Sequence, residues 1–365
     1  MFCKQSRLDL GRLFSVVGMQ FGSEGKGAIT AYLAPIMGMG VRTGAANAGH
    51  TIYHLGKRHV MRQVPSVWTN PTAELVIGIG AMISLDVLLE EIAAIEQILP
   101  MRHRLFIDSR AHVITADQIK RESTGDLAER IGSTSARARE GIGIASADKV
   151  LRSADVLRAQ DVSELRPYCC DTVDLVNTRL DHGDFVLLEG AQGFSLSVDH
   201  GTFPYVTSRD TTATALAGSA GIASHAFPAS VIGVTRTYPI RVSGNSGPFD
   251  SDSTELSWKD VARLAGAPSL VEHTTVTGNV RRVATFSIEG FSRACQVNRP
   301  TEIAVTFADY LDWKCLEKST LSYPVERFIE KLESVADAPV TLIKTGPHGV
   351  IDLEEYRRIM LRKLA

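Results

Sequence analysis

Short apolar runs bounded by glycine or polar turns recur along the chain: Phe14–Met19, Leu75–Ile79, Leu105–Asp108, Phe185–Leu188, Val231–Val234, Ile303–Phe307 and Val340–Ile343. Several are uninterrupted rather than alternating, the pattern of strands covered on both faces. Between them, Leu88, Ile92, Ile95 and Leu99, and again Phe328, Leu332 and Val335, recur at spacings that put apolar side chains on one helix face. A closing helix is predicted over Leu353 to Leu364, with Leu353, Tyr356, Met360 and Leu364 on one stripe and basic residues near its end, as the helix dipole prefers. The pattern is that of an α/β chain with a mostly parallel central sheet. No internal repeat or low-complexity linker divides it, and residues 1–365 read as a single large domain.

Composition narrows the partners. The chain has 365 residues, 44% of them apolar and 22% charged, with a formal charge of −2. That balance gives no electrostatic case for wrapping a nucleic acid or lying on an anionic membrane, so any nucleotide partner is small. The five cysteines, Cys3, Cys169, Cys170, Cys295 and Cys315, are odd in number and lack C-x-x-C spacing, which points to reduced thiols. The N-terminus has no long apolar segment, and the least charged stretch, Thr211 to Val234, is broken by Ser, Thr, Gly, His and Pro. Neither an export signal nor a membrane span is expected, and a cytoplasmic location follows, that of the host if the chain is viral.

The candidate chemistry begins at Val16–Thr30, "VVGMQFGSEGKGAIT", where an apolar strand breaks into a glycine-rich turn ahead of a helix. Such a junction commonly receives a phosphate, because bare backbone N–H groups point at the anion. The loop is P-loop-like without matching G-x-x-x-x-G-K-[ST]: Gly18 lies too far from Gly25 and Lys26, and Gly27 stands in the hydroxyl position.

Five blocks, "VVGMQFGSEGKGA", "TGAANAGHTI", "LLEGAQGFSLSVDHGTFPYVTS", "VIGVTRTYPIRV" and "TGNVRR", with weaker echoes at "AVTFADYLD" and "IKTGPHG", resemble in order those of adenylosuccinate synthetases. The resemblance implies a carbon–nitrogen ligase. A nucleoside triphosphate phosphorylates O6 of a purine nucleotide, and the amine of L-aspartate then displaces that phosphate from C6. An amide-like carbonyl is a poor electrophile, and phosphorylation supplies the leaving group. Holding three anionic ligands together calls for cations and backbone donors.

The resemblance also carries roles. It places the donor's phosphates at Gly25, Lys26, Gly27, His50 and Thr51, and its base at Thr306, Asp309, Gly346 and Pro347. His50 assists phosphoryl transfer, with Lys26 and Ser23 the other catalytic positions. The purine monophosphate falls to Ser23, Asn47, Ala48, Thr134, Gln192 and Thr207, with Arg152 reaching into a neighbouring subunit's site, which implies a homodimer. Thr277, Gly278, Asn279 and Arg281 fall on the loop that holds the aspartate. Magnesium is the implied cofactor, with the Gly49 carbonyl and position 23 as its protein ligands.

Three departures touch the chemistry. Ser23 replaces the family's aspartate, which accepts the N1 proton of hypoxanthine and ligates magnesium, and a serine hydroxyl is not a comparable base. A shorter side chain with an acceptor oxygen makes room for the 2-amino group of guanine. Asn279 replaces an arginine near the ribose 2′-hydroxyl, which suits a deoxyribonucleotide. Thr306-Phe307-Ala308-Asp309 lacks the lysine of the family's guanine-reading T-K-x-D, which favours ATP or dATP as donor, and the segment after it is shorter than in ordinary members. Together these resemble the bacteriophage branch, 2-aminoadenylosuccinate synthetase, which converts dGMP, L-aspartate and ATP or dATP to 2-amino-2′-deoxyadenylosuccinate monophosphate for DNA carrying diaminopurine. An ordinary synthetase acting on IMP and a non-catalytic nucleotide-binding protein are the competing readings. Glu24, Asp210 and a relay through Ser23 are all open as replacements for the missing base.

Overall fold

The computed structural model describes residues 13–124, 140–274 and 278–364, with side chains through residue 358. Thr134, Thr277 and Cys3 lie outside the described residues. Ten strands make the central sheet: β1 Leu13–Gly18, β2 Met39–Arg42, β3 Glu74–Ile77, β4 Leu105–Asp108, β5 Cys169–Cys170, β6 Val186–Glu189, β7 Ala229–Arg236, β8 Glu302–Thr306, β9 Val340–Lys344 and β10 Val350–Asp352. Across the sheet the order is β5-β4-β3-β2-β6-β1-β7-β8-β9-β10, and only β9 with β10 is antiparallel.

The uninterrupted apolar runs are explained by the two faces of this sheet. Along β1, Phe14 and Val16 enter one core with Ile29, Leu33, Trp68 and Ile92, while Leu13 and Val17 enter the other with Leu180, Leu216, Phe291 and Leu332. Both faces are roofed by helices, so every residue of β1 is buried and none needs to be polar. Full burial of a side chain such as Leu13 or Val17 stabilises the fold by about 1.5–3 kcal/mol. Each predicted run overlaps a strand, and the two predicted helical stripes fall on Leu85–Glu96, which ends before Leu99, and Tyr323–Ala336.

Strands β2, β5 and β10 carry no such run. In β2, Met39-Gly40-Val41-Arg42, a glycine and an arginine disguise four buried positions. Arg42 is 1% exposed and is accommodated because its guanidinium donates to the carbonyls of Ala48 at 2.8 Å and Met61 at 3.3 Å.

The chain leaves β1 for β2 and builds outward to β5, returns to place β6 between β2 and β1, then builds the other way from β7. In open parallel sheets ligands occupy the crevice beyond the carboxyl ends of the strands at such a reversal. Two smaller pieces overhang it. A hairpin of His50–His54 and Lys57–Met61 covers the end of β2, and a three-stranded sheet of Ile240–Arg241, Arg282–Ala284 and Glu255–Leu256, packed on Trp258 and Val261, covers the end of β7.

Candidate active site

Strand β1 ends at Gly18 and the chain reaches the helix Lys26–Leu33 through a loop that folds on its own glutamate. The Glu24 carboxylate, fully buried, accepts the N–H groups of Gln20 at 3.1 Å and Gly22 at 2.8 Å and holds Lys26 Nζ at 2.7 Å. A Cβ on Gly193 would sit 2.2 Å from that carboxylate, so the turn after β6 requires glycine. With Glu24 turned inward, Ser23 is turned out to solvent in the left-handed region, φ 58, which costs a non-glycine residue roughly 1–2 kcal/mol. The helix opens at Gly25, φ 84, with no side-chain cap, which leaves its first N–H groups free for an anion.

His50 begins the overhanging hairpin, so close to the helix start that a Cβ on Gly27 would lie 2.6 Å from its Cβ. Its Nδ1 pairs with Glu189, the last residue of β6, whose carboxylate also accepts Ser66 N at 2.6 Å and Ser66 Oγ at 2.7 Å. Burial, reinforced by the Arg42 charge, pushes the His50 imidazole down to about 4. Burial raises the Glu189 carboxyl, but His50, Arg42 and the Ser66 hydrogen bonds outweigh it and hold the group at about 2. The ring is therefore neutral in the free site, its Nδ1–H assigned to the carboxylate and its Nε2 without a partner among the described residues.

The opposite wall carries cations. Arg281 Nη1 donates to Ser23 Oγ at 2.9 Å, and Arg236, fully buried, donates to the Ser23 carbonyl at 3.2 Å. Both guanidinium groups meet Glu272, which pairs with Arg236 and lies 4.0 Å from Arg281 Nε. Arg236 also stacks over Phe307 at 3.9 Å. Farther along, Asp309 is 3% exposed, its Oδ1 has no partner among the described residues, and burial pushes its carboxyl up to about 6. Neighbouring Lys344 is pushed down to about 8 by burial.

Of these groups, Ser23, Lys26, His50, Glu272, Arg281, Phe307, Asp309 and Lys344 line one cavity of about 1100 Å³, with Glu24, Glu189 and Arg236 behind them. A family model for adenylosuccinate synthetase matches residues 15–164 and 155–316. The synthetase of Methanocaldococcus jannaschii is 39% identical over 347 residues, covering 93% of this chain and 96% of the relative, and that of Thermococcus sibiricus is 38% identical over 354 residues, covering 94% and 98%. The chain belongs to the adenylosuccinate synthetase family. It is a carbon–nitrogen ligase that joins aspartate to a purine nucleotide. Among solved structures it is similar to the cyanophage S-2L succinoaminodeoxyadenylate synthetase bound to dGMP and dATP, with a TM-score of 0.80, 29% identity, and 96% of this chain and 99% of that one covered. The fully ligated adenylosuccinate synthetase of Plasmodium falciparum has the same fold, with a TM-score of 0.81 at 22% identity, covering 94% of this chain and 100% of that one.

The cavity of this synthetase brings together Ser23, Gly25, Lys26, Gly27, Asn47, Ala48, Gly49, His50, Thr51, Gln192, Thr207, Asn279, Arg281, Asp309, Gly346 and Pro347 of the expected set. Gln192, in the turn that follows β6, is held at φ 64, a strained conformation at the cavity wall. Three expected residues lie elsewhere. Thr306 is fully buried and its hydroxyl donates to the Glu24 carbonyl at 2.7 Å, so it supports the glycine-rich loop from behind and does not line the cavity. Gly278 is exposed and does not line the cavity, and Arg152 ends the helix Ile142–Leu151 on the surface, outside this chain's own cavity. Two candidates for the missing base are committed to structure: Glu24 to Lys26 and the loop, and Asp210 to Ser197 Oγ at 2.8 Å and Thr212 Oγ1 at 2.7 Å. The short segment after Asp309 does not mark a branch, because the archaeal relatives match over 96% and 98% of their own lengths.

Family members generally use magnesium, and both expected ligands, the Gly49 carbonyl and Ser23, lie on the cavity, where an ion would be held mainly by substrate phosphates and water. Ser23 Oγ is a neutral oxygen already receiving a guanidinium, and no cluster of three His, Cys, Asp or Glu side chains occurs among the described residues. Among the described residues no helix is long and apolar enough to cross a membrane. Sequence reasoning missed Glu189, Glu272, Arg236 and Arg241. Arg241 stacks on Phe21 at 4.5 Å, and burial pushes it down to about 10. The one sequence signal for Glu189 is a carboxylate closing an otherwise apolar strand, "FVLLEG".

Proposed function

We propose that this synthetase acts on dGMP, with ATP or dATP as phosphoryl donor, and forms 2-amino-2′-deoxyadenylosuccinate monophosphate. The observation that carries the reading is Ser23: an outward-facing hydroxyl on the cavity wall, where the resemblance calls for an aspartate. The shorter side chain leaves space for the exocyclic amine at C2 of guanine and still offers it an oxygen. The likeness to the cyanophage synthetase bound to dGMP and dATP supports the same assignment. Asn279 at the cavity in place of an arginine supports a sugar without a 2′-hydroxyl.

In this reading Lys26 and the N-terminus of its helix take the donor's phosphates, and Asn47, Gln192 and Thr207 take the 5′-phosphate of dGMP. The purine O6 bonds to the γ-phosphorus as the bond to the β-phosphate oxygen breaks. Neutral His50, with Nδ1 anchored on Glu189, takes up a proton from bulk solvent at Nε2 as the anionic oxygens approach, and holds the charge of the transferring group. The amine of aspartate, whose carboxylates meet Arg281, then bonds to C6 as the C6–O bond breaks and phosphate leaves. Arg152 completes the site of a second subunit.

A second reading, IMP as acceptor, is favoured by the archaeal relatives, which are adenylosuccinate synthetases at 39% and 38% identity. Phosphate release measured with dGMP or IMP, plus aspartate and ATP, separates the two. Preference for dGMP, weakened toward IMP by Ser23→Asp, supports our reading. Clear preference for IMP overturns it, and no release with either supports a binding protein.

A further inference from the structure

Ser23 is gripped from two sides by one charged cluster. Arg281 Nη1 donates to its hydroxyl oxygen at 2.9 Å, and Arg236 Nη1 donates to its carbonyl at 3.2 Å. Both guanidinium groups face a single carboxylate, Glu272, which pairs with both Nη atoms of Arg236 and lies 4.0 Å from Arg281 Nε, itself donating to the His273 carbonyl at 3.1 Å. The backbone closes the same unit, since Arg281 N donates to the Glu272 carbonyl at 2.9 Å. Without Glu272, two like charges in a largely buried space would repel, and the mobile one is Arg281, because Arg236 is fixed by Phe307 and full burial.

A serine hydroxyl has one donor hydrogen and two acceptor sites. Arg281 occupies one acceptor, which leaves one donor and one acceptor for a ligand. Guanine presents two donors on the edge expected at residue 23, N1–H and the 2-amino group. Once O6 is phosphorylated, N1 carries a lone pair, and the edge becomes one acceptor beside one donor. That is the complement of the remaining hydroxyl capacity, whereas an ionised carboxylate offers acceptors only. Binding that improves as the reaction proceeds lowers the barrier.

Resting on the dGMP reading above, we propose that Glu272 is a positioning residue that sets Arg281 on Ser23, so that Ser23 recognises the 6-phosphorylated guanine by donating to N1 and accepting from the 2-amino group. The O6–phosphorus bond forms, the bond from that phosphorus to the β-phosphate oxygen breaks, and the N1 proton passes to solvent water at the exposed side of Ser23. Ser23 is not the base: its hydroxyl keeps its own proton and donates it to N1.

The test isolates the first step by omitting aspartate, so that Arg281 has no other ligand to hold. ATP with heavy oxygen in the β–γ bridge, incubated with the full-length enzyme and dGMP, scrambles that label only when O6 is phosphorylated reversibly. Glu272→Gln is expected to slow scrambling about tenfold to a hundredfold, the range for a hydrogen bond to a charged group, with the KM for dGMP within about threefold. With dIMP, which lacks the 2-amino group, the same change costs much less, so the dGMP-to-dIMP ratio falls. Ser23→Ala lowers the ratio in the same way and adds little in the Glu272→Gln background, while Glu272→Asp retains part of the preference and controls for folding. An equal loss with both purines, or additive losses in the double variant, overturns the inference and leaves the dGMP reading standing. A wild-type enzyme that does not scramble with dGMP and does with IMP overturns both.

Discussion

The pairing of His50 with Glu189 makes a quantitative prediction. Glu189 is fully buried at the end of β6 and serves three donors: His50 Nδ1, Ser66 N and Ser66 Oγ. Glu189→Gln keeps the shape but supplies one acceptor oxygen and an amide that can only donate, so a buried donor faces a donor at a cost of about 1–3 kcal/mol in stability. The catalytic loss is larger. An imidazolium and a carboxylate whose charges lie about 4 Å apart attract by about 4 kcal/mol at an effective dielectric near 20, which corresponds to roughly a thousandfold in rate. Arg42, already disfavouring charge on the ring, is then unopposed. The kcat for phosphate release should fall about 10²- to 10³-fold while KM for the purine nucleotide changes little, because the pair acts on charge that develops during transfer. A variant within threefold of wild-type kcat, or one whose whole loss is in KM, would refute a charge-holding His50.

The same pair sets a pH dependence. The His50 pKa is about 4 when folded against an ordinary 6.5, so the unfolded chain binds a proton the native state does not, and stability present above about pH 6.5 is lost as pH falls toward 4. Urea melts at pH 7 and pH 5 should differ by about 2 kcal/mol from this group, and His50→Gln should flatten that slope. Glu24→Ala strands Lys26 without its buried partner and should cost about 3–5 kcal/mol in a denaturant melt, against a negligible change if the pair were exposed. Gly27→Ala drives a methyl group into His50 and should reduce phosphate release more than tenfold with little change in far-ultraviolet circular dichroism. Arg152→Ala should abolish activity in the pure variant yet allow recovery on mixing with Lys26→Ala subunits, which keep their own Arg152; a failure to recover would argue against shared sites.

Much of the fold could be read from runs such as Phe185–Leu188, because a strand covered on both faces, here Val186–Glu189, is apolar over most of its length. Strand β2 was invisible for the opposite reason: its Arg42 is satisfied by carbonyls that only the folded chain brings near. The placement of the glycine-rich loop and His50 at the cavity was legible because the motifs that carry them are contiguous in sequence. Glu189 and Glu272 were not, since one lies 139 residues from the histidine it orients and the other acts on Ser23 only through two arginines. Thr306 shows the converse error. A hydroxyl in a recognisable motif can point into the protein, and the local sequence does not say which way it faces.

Lys26 and Glu24 leave one last mark on how the enzyme turns over. A lysine that carries its own neutralising neighbour is a modest trap for a lone orthophosphate, yet it still adds to the pull of a chain of phosphates that spans the helix mouth as well. Under the proposed assignment, that balance favours loss of orthophosphate over loss of a triphosphate.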